Sequence, residues 1–180
     1  MHNGRMGKMT SHKTSGLIGA AKVPGDKPIS HRALICAGLA RGDAKITNLF
    51  EGDDILRTAD ALAALGMGIA RPETKGGAWN VRGLGDKRLK TPKSALYLGN
   101  SDTSARLLMG LVAGYPVSAL LTGDASFSTK PMGKVIRPLA QMGARFESSA
   151  ADCLPLRVIG SASLRPIEYI LQEPSAQVKS

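Results

Sequence analysis

One pattern of residues occurs twice in this chain, and it limits the folds that the chain can adopt. The segment GDKPISHR at residues 25–32 resembles the segment GNSDTSAR at residues 99–106, which lies 74 positions further on. Each segment leads into small and apolar residues at helical spacing, ALICAGLA in the first copy and LLMGLVAG in the second. The chain must therefore fold as at least two similar structural units in succession.

The two copies remain similar beyond their first helix. A strand-like piece and an acidic turn follow it, and a second predicted helix then occupies residues 55–65 and 132–142. These second helices end at Gly66 and Gly143, which are 77 residues apart, and glycine is favoured just after a helix end. Each copy closes with two strand-like runs. The order predicts an α/β (α+β) fold made of β-α-β-α-β-β units of about 75 residues.

The start of the unit is predicted from its turn residues and its caps. In the first copy a short strand at residues 21–23 precedes a turn at Pro24 and Gly25. Ser30 and, in the second copy, Thr103 have side chains that can cap a helix. We therefore expect the first helix of each copy to begin at these two residues.

The last residues of the chain read as the beginning of a third copy. One further period beyond Thr103 leads to PSAQVKS at residues 174–180, a helix N-cap and first turn. A helix of one turn is not stable by itself, so we expect a truncated third unit. The predicted organisation is a flexible tail at residues 1–16 and an incomplete domain at 17–180, with units at 17–92, 93–165 and 166–180.

The basic charge of the chain fits an anionic partner but does not decide it, because surface solubility accounts for most of the basic residues. Its 180 residues include 24 Lys and Arg against 14 Asp and Glu, a net charge of +10. The basic residues are dispersed, and the few aromatic residues (3 Phe, 3 Tyr and 1 Trp) are not interleaved with them as stacking on nucleic acid would require. A small, multiply anionic substrate such as a phosphate ester is therefore preferred over nucleic acid as the partner.

The sequence favours a cytoplasmic protein. No apolar run approaches the roughly 20 residues of a membrane span, and the first 16 residues are polar and basic. Cys36 and Cys153 are isolated and lack the spacing of a metal site, which favours free thiols over a disulfide. We expect no membrane partner and no metal site.

Three loops that contain glycine lead into helices and carry cations near the helix starts. These cations are Lys27 and Arg32 in the first loop, Arg106 in the second, and Lys130 and Lys134 in the third. Helix N-terminal N–H groups together with cations form a site for phosphate or carboxylate, although an exposed basic helix start that binds nothing fits the same pattern. Asp102 opposes the binding interpretation because a carboxylate repels a bound anion. His31 has no catalytic partner in the sequence pattern and is expected either on the helix surface or as a residue that supports the site from behind.

Six stretches of the chain together resemble the enolpyruvyl transferases, and among these the family of 5-enolpyruvylshikimate-3-phosphate synthases. They follow the family's order over residues 22–180: PGDKPISHRALICAGLA, EGDDILRTADALAALGMGI, LGNSDTSARLLMGLVAG, GDASFSTKPMGKVIRPLAQMGA, LPLRV and PSAQVKS. The GDK-ISHR turn resembles the glyphosate-tolerant bacterial branch. The resemblance implies an inside-out α/β fold of two domains, each with three such units around a pseudo-threefold axis, of which the second domain is absent here.

The resemblance also implies a reaction and the residues that take part in it. The enolpyruvyl group of phosphoenolpyruvate is transferred to the 5-hydroxyl of shikimate 3-phosphate with release of phosphate, without a metal or organic cofactor. Lys27 matches the lysine that touches both substrates and is the candidate catalytic group for proton transfer. The residues that match contacts to shikimate 3-phosphate are Lys27, Pro28, Arg32, Ser175, Ala176 and Gln177. Those that match contacts to phosphoenolpyruvate are Lys27, Asn100, Asp102, Lys130 and Gln177.

Three positions depart from the family pattern. Pro28 stands where the family has serine, which removes one hydroxyl contact to substrate. Asp102 stands at a position of glycine or alanine that packs against phosphoenolpyruvate. Lys130 replaces an arginine whose two-pronged geometry lysine cannot reproduce. We therefore expect shikimate 3-phosphate to bind better than phosphoenolpyruvate. We expect the isolated chain to be inactive, because the resembling second domain carries further acidic residues and arginines.

Two other interpretations stay open at this point. A fragment of the UDP-N-acetylglucosamine enolpyruvyl transferase type would share the fold, although GDK-ISHR and SAQVKS favour the shikimate enzymes. A non-catalytic module that binds anions or nucleic acid would share the repeats. The cut edge of the third unit should expose apolar surface, which predicts association through that edge or with a complementing C-terminal half.

Overall fold

The structure is a computed structural model that describes residues 10–16 and 18–180, so most of the tail predicted at residues 1–16 lies outside the described residues. Within the described part the chain forms five α-helices and seven β-strands. The helices are α1 Lys27–Leu39, α2 Asp53–Ala64, α3 Asp102–Ala113, α4 Gly133–Met142 and α5 Ala176–Lys179. The strands are β1 Asp43–Ile46, β2 Gly68–Ala70, β3 Trp79–Arg82, β4 Leu96–Tyr97, β5 Ser118–Thr122, β6 Arg145–Ser148 and β7 Leu156–Ile159.

The two sheets repeat one arrangement. In the three-stranded sheet β3 lies between β1 and β2, and in the four-stranded sheet β7 lies between β5 and β6. All four of these pairings are antiparallel, with Asp43 opposite Arg82 in the first sheet and Ser118 opposite Ile159 in the second. The fourth strand, β4, pairs with β5 in parallel. From the first helix onward, both copies therefore contain the element order that the sequence predicts.

The strand predicted at residues 21–23 does not form, and this prediction was wrong. In the second copy β4 is followed by Leu98, whose N–H donates to the Thr122 carbonyl at 2.9 Å. Pro24 stands at the corresponding position, 74 residues earlier, and has no N–H to donate. The hydrogen bond that extends the pairing of β4 with β5 therefore has no counterpart in the first copy, whose sheet has one strand fewer.

Both first helices begin earlier than predicted. Asp26 caps α1 by accepting a hydrogen bond from a backbone N–H at 2.8 Å, and Ser101 caps α3. The caps predicted at Ser30 and Thr103 were therefore wrong, because both residues lie inside the helices. Pro28 favours the earlier start of α1, since a residue in the first turn needs no backbone N–H donor.

The predicted ends of the second helices are confirmed. Gly66 follows the end of α2 with φ +103°, and Gly143 caps α4 with φ +116°. This left-handed backbone conformation strains every residue that has a Cβ atom. Glycine at both positions therefore terminates the helix and lets the chain turn into the next strand.

A glycine after the last strand of each copy allows a close approach between sheet and helix. A Cβ atom on Gly83 would lie 2.0 Å from the Ala40 carbonyl oxygen, and one on Gly160 would lie 2.0 Å from that of Val112. Ala40 caps α1, and Val112 lies in the last turn of α3. The repeat therefore extends from the order of elements to the packing of helix against strand.

One apolar core joins the helices to both sheets. Trp79 and Leu62 in the first copy are almost fully buried, as are Leu108, Leu121 and Leu156 in the second. No helix in the described part of the chain is long and apolar enough to cross a membrane. Cys36 and Cys153 are free thiols, as predicted.

Candidate anion-binding site

The first loop places Lys27 against the second helix. α1 begins at Lys27, and the Lys27 ammonium forms an ion pair with the carboxylate of Asp54 in the first turn of α2. The Lys27 side chain is 45% exposed, so the ammonium is accessible to a ligand while Asp54 holds it. Gly25 allows this loop to close, because a Cβ atom there would lie 1.9 Å from the Asn48 carbonyl oxygen.

Arg32 connects the first helix to the last residue of the chain. Its guanidinium donates to the Pro28 carbonyl at 3.2 Å and to the Ser180 hydroxyl at 2.6 Å. Ser180 directly follows α5, so the PSAQVKS segment lies beside α1. The structure thus brings together two groups of residues that are 148 positions apart and that the resemblance assigns to one substrate.

The short helix α5 positions the three predicted residues at 175–177. Ser175 caps α5 by accepting a backbone N–H at 3.4 Å, and Ala176 is its first residue. The Gln177 side chain donates to the hydroxyl of Thr103 at 3.2 Å. Gln177 is therefore tied to the first turn of α3, next to Asp102.

Asn100 and Lys130, both predicted for phosphoenolpyruvate, are in direct contact. The Lys130 ammonium donates to Asn100 Oδ1 at 3.1 Å, and Asn100 Nδ2 donates to the Ser126 hydroxyl at 2.6 Å. Asp124 anchors the same loop by accepting from the Phe127 N–H at 2.7 Å and from the Ser126 hydroxyl at 2.9 Å. These hydrogen bonds, that from Phe127 first, keep the pKa of Asp124 below its ordinary value.

Asp102 forms an ion pair with Arg106, one turn further along α3. Asp102 Oδ2 accepts from Arg106 Nε at 2.8 Å, and the Arg106 side chain is only 14% exposed. The other carboxylate oxygen, Oδ1, is buried and has no hydrogen-bond partner among the described residues. Arg106 therefore compensates much of the Asp102 charge, which was expected from the sequence to oppose anion binding. The positive charge of Arg106 is in turn partly neutralised.

A groove of about 490 Å³ runs along the start of α4. Its charged lining consists of Arg106, Lys130, Lys134, Arg137, Asp102 and Asp152. The ammonium of Lys134 also contacts Glu173, and this hydrogen bond and charge lower the pKa of the Glu173 carboxyl. Four cations stand against the two carboxylates of the lining and the neighbouring Glu173, which leaves the groove positive and suits a phosphate or carboxylate ligand.

The two halves of the site meet at the N-terminus of α2. Asp54 contacts Lys27. The preceding residue, Asp53, lies close to Gly99, since a Cβ atom on Gly99 would be 3.3 Å from Oδ2 of Asp53. Across the described ranges no hydrogen bond or ion pair joins Lys27 directly to Asn100, Asp102 or Gln177. The predicted residues therefore form two groups, one around Lys27 and Arg32 and one around Asn100 and Asp102.

His31 is a buried polar residue behind the first loop. It was expected either on the surface of α1 or as a residue that supports the site from behind, and its fully buried side chain shows that the surface position was wrong. Burial lowers the pKa of His31 to about 4, and Lys27 and Arg32 act in the same direction against Asp54. The available signal was helical spacing, because Leu34 and Gly38, on the same face of α1, are also buried.

The fold and this site define an α/β protein with two similarly arranged sheets and a cationic groove. The chain belongs to the EPSP synthase family, whose model, described as EPSP synthase (3-phosphoshikimate 1-carboxyvinyltransferase), matches residues 11–180.

Curated relatives and solved structures agree with this assignment. A 3-phosphoshikimate 1-carboxyvinyltransferase of Hyphomonas neptunium is 49% identical over 171 residues, which cover 95% of this chain and 38% of the relative. The protein of the same name from Zymomonas mobilis is 47% identical over 172 residues, which cover 96% of this chain and 38% of the relative. The structure of EPSP synthase from Acinetobacter baumannii superposes with a TM-score of 0.84 and 40% identity, over 89% of this chain and 36% of that one. The chain thus spans 38% of the length of these two curated relatives.

Proposed function

We propose that this chain supplies the shikimate 3-phosphate side of the active site of a 3-phosphoshikimate 1-carboxyvinyltransferase. The observation that carries the proposal is the contact of Arg32 with Ser180, which brings the cationic start of α1 beside residues 175–177. Lys27 and Arg32 provide two positive charges for a phosphate ester, and Gln177 and Ser175 provide polar groups for a ring bearing hydroxyls. Membership of the EPSP synthase family supports the same substrate.

In the proposed reaction the 5-hydroxyl oxygen of shikimate 3-phosphate forms a bond to C2 of phosphoenolpyruvate while C3 takes up a proton. The hydroxyl proton is lost, and a tetrahedral adduct results. The bond between C2 and the phosphate oxygen then breaks, C3 gives up a proton, and the enolpyruvyl ether and phosphate leave. The balance is complete with the two substrates and requires no cofactor.

Lys27 is the proposed catalytic residue of this half of the site. Its ammonium is accessible and is held by Asp54, so it can donate a hydrogen bond or a proton to a substrate oxygen at a fixed place. Arg32 would bind the phosphate of shikimate 3-phosphate. Pro28, in the first turn of α1, offers only its ring and carbonyl, and that carbonyl already accepts from Arg32.

The phosphoenolpyruvate side is proposed as the weaker part of this site. Lys130 is a single point charge shared with Asn100, and it cannot grip a carboxylate or phosphate at two points as arginine does. Asp102 places a carboxylate in the wall of the same groove. We propose that both features lower affinity for phosphoenolpyruvate and for glyphosate, in line with the resemblance of the GDK-ISHR turn to the tolerant bacterial branch.

The proposed domain organisation follows the repeat. Unit one occupies residues 17–92, unit two 93–165, and the start of unit three 166–180, and the further acidic residues and arginines would belong to a second domain. Because this chain spans only 38% of the relatives' length, we propose that it binds substrate but does not turn it over alone. Cytoplasmic localisation stays a prediction, and free Cys36 and Cys153 are compatible with it.

Calorimetric titration of the 180-residue chain with shikimate 3-phosphate tests the proposal. Arg32→Ala should weaken binding at least tenfold, because it removes a charge-assisted contact to the phosphate. Arg41→Ala is the matched control, since Arg41 pairs with Asp86 at the far end of α1 and should leave binding unchanged. Equal effects of the two substitutions would reject the site. Salt-dependent binding of random oligonucleotides without binding of shikimate 3-phosphate would favour a nucleic-acid module instead.

A further inference from the structure

Four buried polar side chains form a continuous hydrogen-bonded chain across three helices. His31 Nδ1 of α1 lies 2.8 Å from Thr58 Oγ1 of α2, which lies 2.7 Å from Ser104 Oγ of α3. Ser104 Oγ is in turn 2.5 Å from Ser101 Oγ, the cap of α3. All four residues are at most 1% exposed. A buried polar network favours one arrangement of its side chains when every member has a partner. This hydrogen-bonded network therefore favours one spacing of the three helices.

We assign the hydrogens of this network in the order that leaves no ring N–H of His31 without an acceptor. In this order Thr58 Oγ1 donates to the Asp54 carbonyl at 3.1 Å and accepts from His31. It also accepts from the Ser104 hydroxyl, which lies nearer to Thr58, at 2.7 Å, than to the same carbonyl, at 3.3 Å. Ser101 Oγ accepts from the Ser104 N–H and is left to donate to the Ser104 hydroxyl. His31 therefore carries its proton on Nδ1, and Nε2, which has no partner in the described part of the chain, keeps only a lone pair.

The network of His31, Thr58, Ser104 and Ser101 lies between the two groups of site residues. Both Thr58 and Ser104 reach the backbone carbonyl of Asp54, at 3.1 and 3.3 Å, and the carboxylate of the same Asp54 holds Lys27. At the other end Ser101 directly follows Asn100, whose side chain contacts Lys130. A shift of any member would therefore move the Lys27 loop relative to the Asn100 loop.

We propose that His31, Thr58, Ser104 and Ser101 are positioning residues that hold the Lys27 loop and the Asn100 loop at one fixed separation. A ligand that touches both loops then meets groups already in place and loses less free energy to ordering them. The identity of that ligand rests on the proposed function, whereas the coupling of the two loops does not.

Two substitutions of Thr58 separate hydrogen bonding from packing. Thr58→Val keeps the shape and removes the hydroxyl, whereas Thr58→Ser removes a methyl group and keeps the hydroxyl. Because a lost buried hydrogen bond corresponds to about a tenfold change in an opening equilibrium, Thr58→Val should accelerate amide hydrogen exchange about tenfold at residues 26–30 and 99–102. Thr58→Ser should change exchange in both loops less than Thr58→Val does.

A role in packing alone predicts the reverse order of the two variants, and that result would overturn the proposal. Acceleration in one loop only would also overturn it. Ser104→Ala serves as the second hydroxyl deletion if Thr58→Val does not fold. Val158→Ala is the control for general destabilisation, because Val158 is buried in β7 and belongs to neither loop.

Nitrogen NMR of the His31 ring provides a readout that packing would not move. In the wild-type chain near pH 7 we expect Nδ1 to be protonated and Nε2 to be unprotonated. In Thr58→Val the Nδ1 resonance should shift because its acceptor is gone. A ring protonated on Nε2 in the wild type would contradict the hydrogen order and overturn the proposal.

The ligand measurement distinguishes this inference from the function on which it builds. Thr58→Val should weaken shikimate 3-phosphate binding about tenfold, and Thr58→Ser should retain binding near the wild-type value. Unchanged affinity in a Thr58→Val chain that shows accelerated exchange would overturn the positioning role. If the wild-type chain binds neither shikimate 3-phosphate nor phosphoenolpyruvate, the proposed function fails, and the exchange pattern alone decides whether the loops are coupled.

Discussion

The Asp102 carboxylate and the Arg106 guanidinium lie 2.8 Å apart, one turn from each other on α3 and in the wall of the cationic groove. The Arg106 side chain is less exposed than that of Asp102, so its guanidinium interacts mainly with the Asp102 carboxylate. Asp102 thus pairs with the Arg106 guanidinium, which could otherwise bind an anionic ligand in the groove. Removal of the Asp102 charge should therefore strengthen anion binding in this groove.

Asp102→Asn should tighten binding of phosphoenolpyruvate by about tenfold, because it removes a repulsive charge and frees Arg106. Calorimetric titration of the two proteins measures the change. Asp53→Asn is the matched control, since Asp53 and Arg57 form the same i,i+4 pair at the start of α2, at 3.4 Å and outside the groove. A gain of equal size in both variants would mean that net charge, and not the Asp102–Arg106 pair, controls binding.

Lys130→Arg should raise affinity for phosphoenolpyruvate about threefold to tenfold, because a guanidinium can donate two parallel hydrogen bonds to one anionic group. Lys130→Met should lower it, since it keeps the length of the side chain and removes the charge. Shikimate 3-phosphate binding serves as the internal control and should change little in both variants. Loss of phosphoenolpyruvate binding in Lys130→Arg would show that the contact with Asn100 requires lysine.

Acidification should destabilise the fold through His31 before the carboxylates are protonated. Burial lowers the pKa of His31 from 6.5 to about 4, so between these values the unfolded chain takes up a proton that the folded chain does not. The free energy of unfolding should therefore fall by about 2 kcal/mol between pH 7 and pH 5, and level off with respect to His31 below pH 4. Urea unfolding at both pH values measures this, and His31→Gln should remove most of the difference. A wild-type protein equally stable at pH 7 and 5 would contradict the prediction.

Gly160→Ala and Gly110→Ala should have opposite effects on stability. A Cβ atom on Gly160 meets the Val112 carbonyl oxygen at 2.0 Å, and one on Gly110 meets nothing within 4 Å. We expect Gly160→Ala to cost at least about 3 kcal/mol through backbone displacement. Gly110→Ala, in the interior of α3, should stabilise by about 0.5 to 1 kcal/mol. Thermal unfolding of both variants tests the pair, and a mild effect at Gly160 would show that the contact between strand and helix is adaptable.

Much of the fold is readable from the sequence because its signals are local. The periodic apolar residues of α2 and α4 and the glycines that follow them predict helix bounds within about two residues. The predicted strands at residues 79–83 and 156–160 appear as β3 and β7. The predicted strand at residues 21–23 and the predicted caps at Ser30 and Thr103 were wrong, in each case because of one nearby residue. Pro24 cannot donate to a strand, and Asp26 and Ser101 are caps that precede the predicted ones.

The candidate site was predictable as a set of residues but not as an arrangement. The loop sequences and the resemblance together proposed Lys27, Arg32, Asn100 and Lys130, which lie in the first two turns of α1 or just before α3 and α4. The partners that define their chemistry, Asp54 for Lys27 and Arg106 for Asp102, depend on distances that no spacing rule supplies. The burial of His31 and its alignment with Thr58, Ser104 and Ser101 likewise require three helices to be packed together.

The sequence by itself determined the repeated unit, the helix ends at Gly66 and Gly143, and the concentration of cations at three helix starts, because each depends on residues within one turn or one strand. Only the tertiary structure decided which charges meet, which polar groups are buried and how the loops are spaced. These properties depend on contacts between residues such as Arg32 and Ser180, 148 positions apart, whose proximity is fixed by the shared apolar core. Local sequence determines the helices and strands, and long-range packing determines which of their side chains lie together in the candidate site.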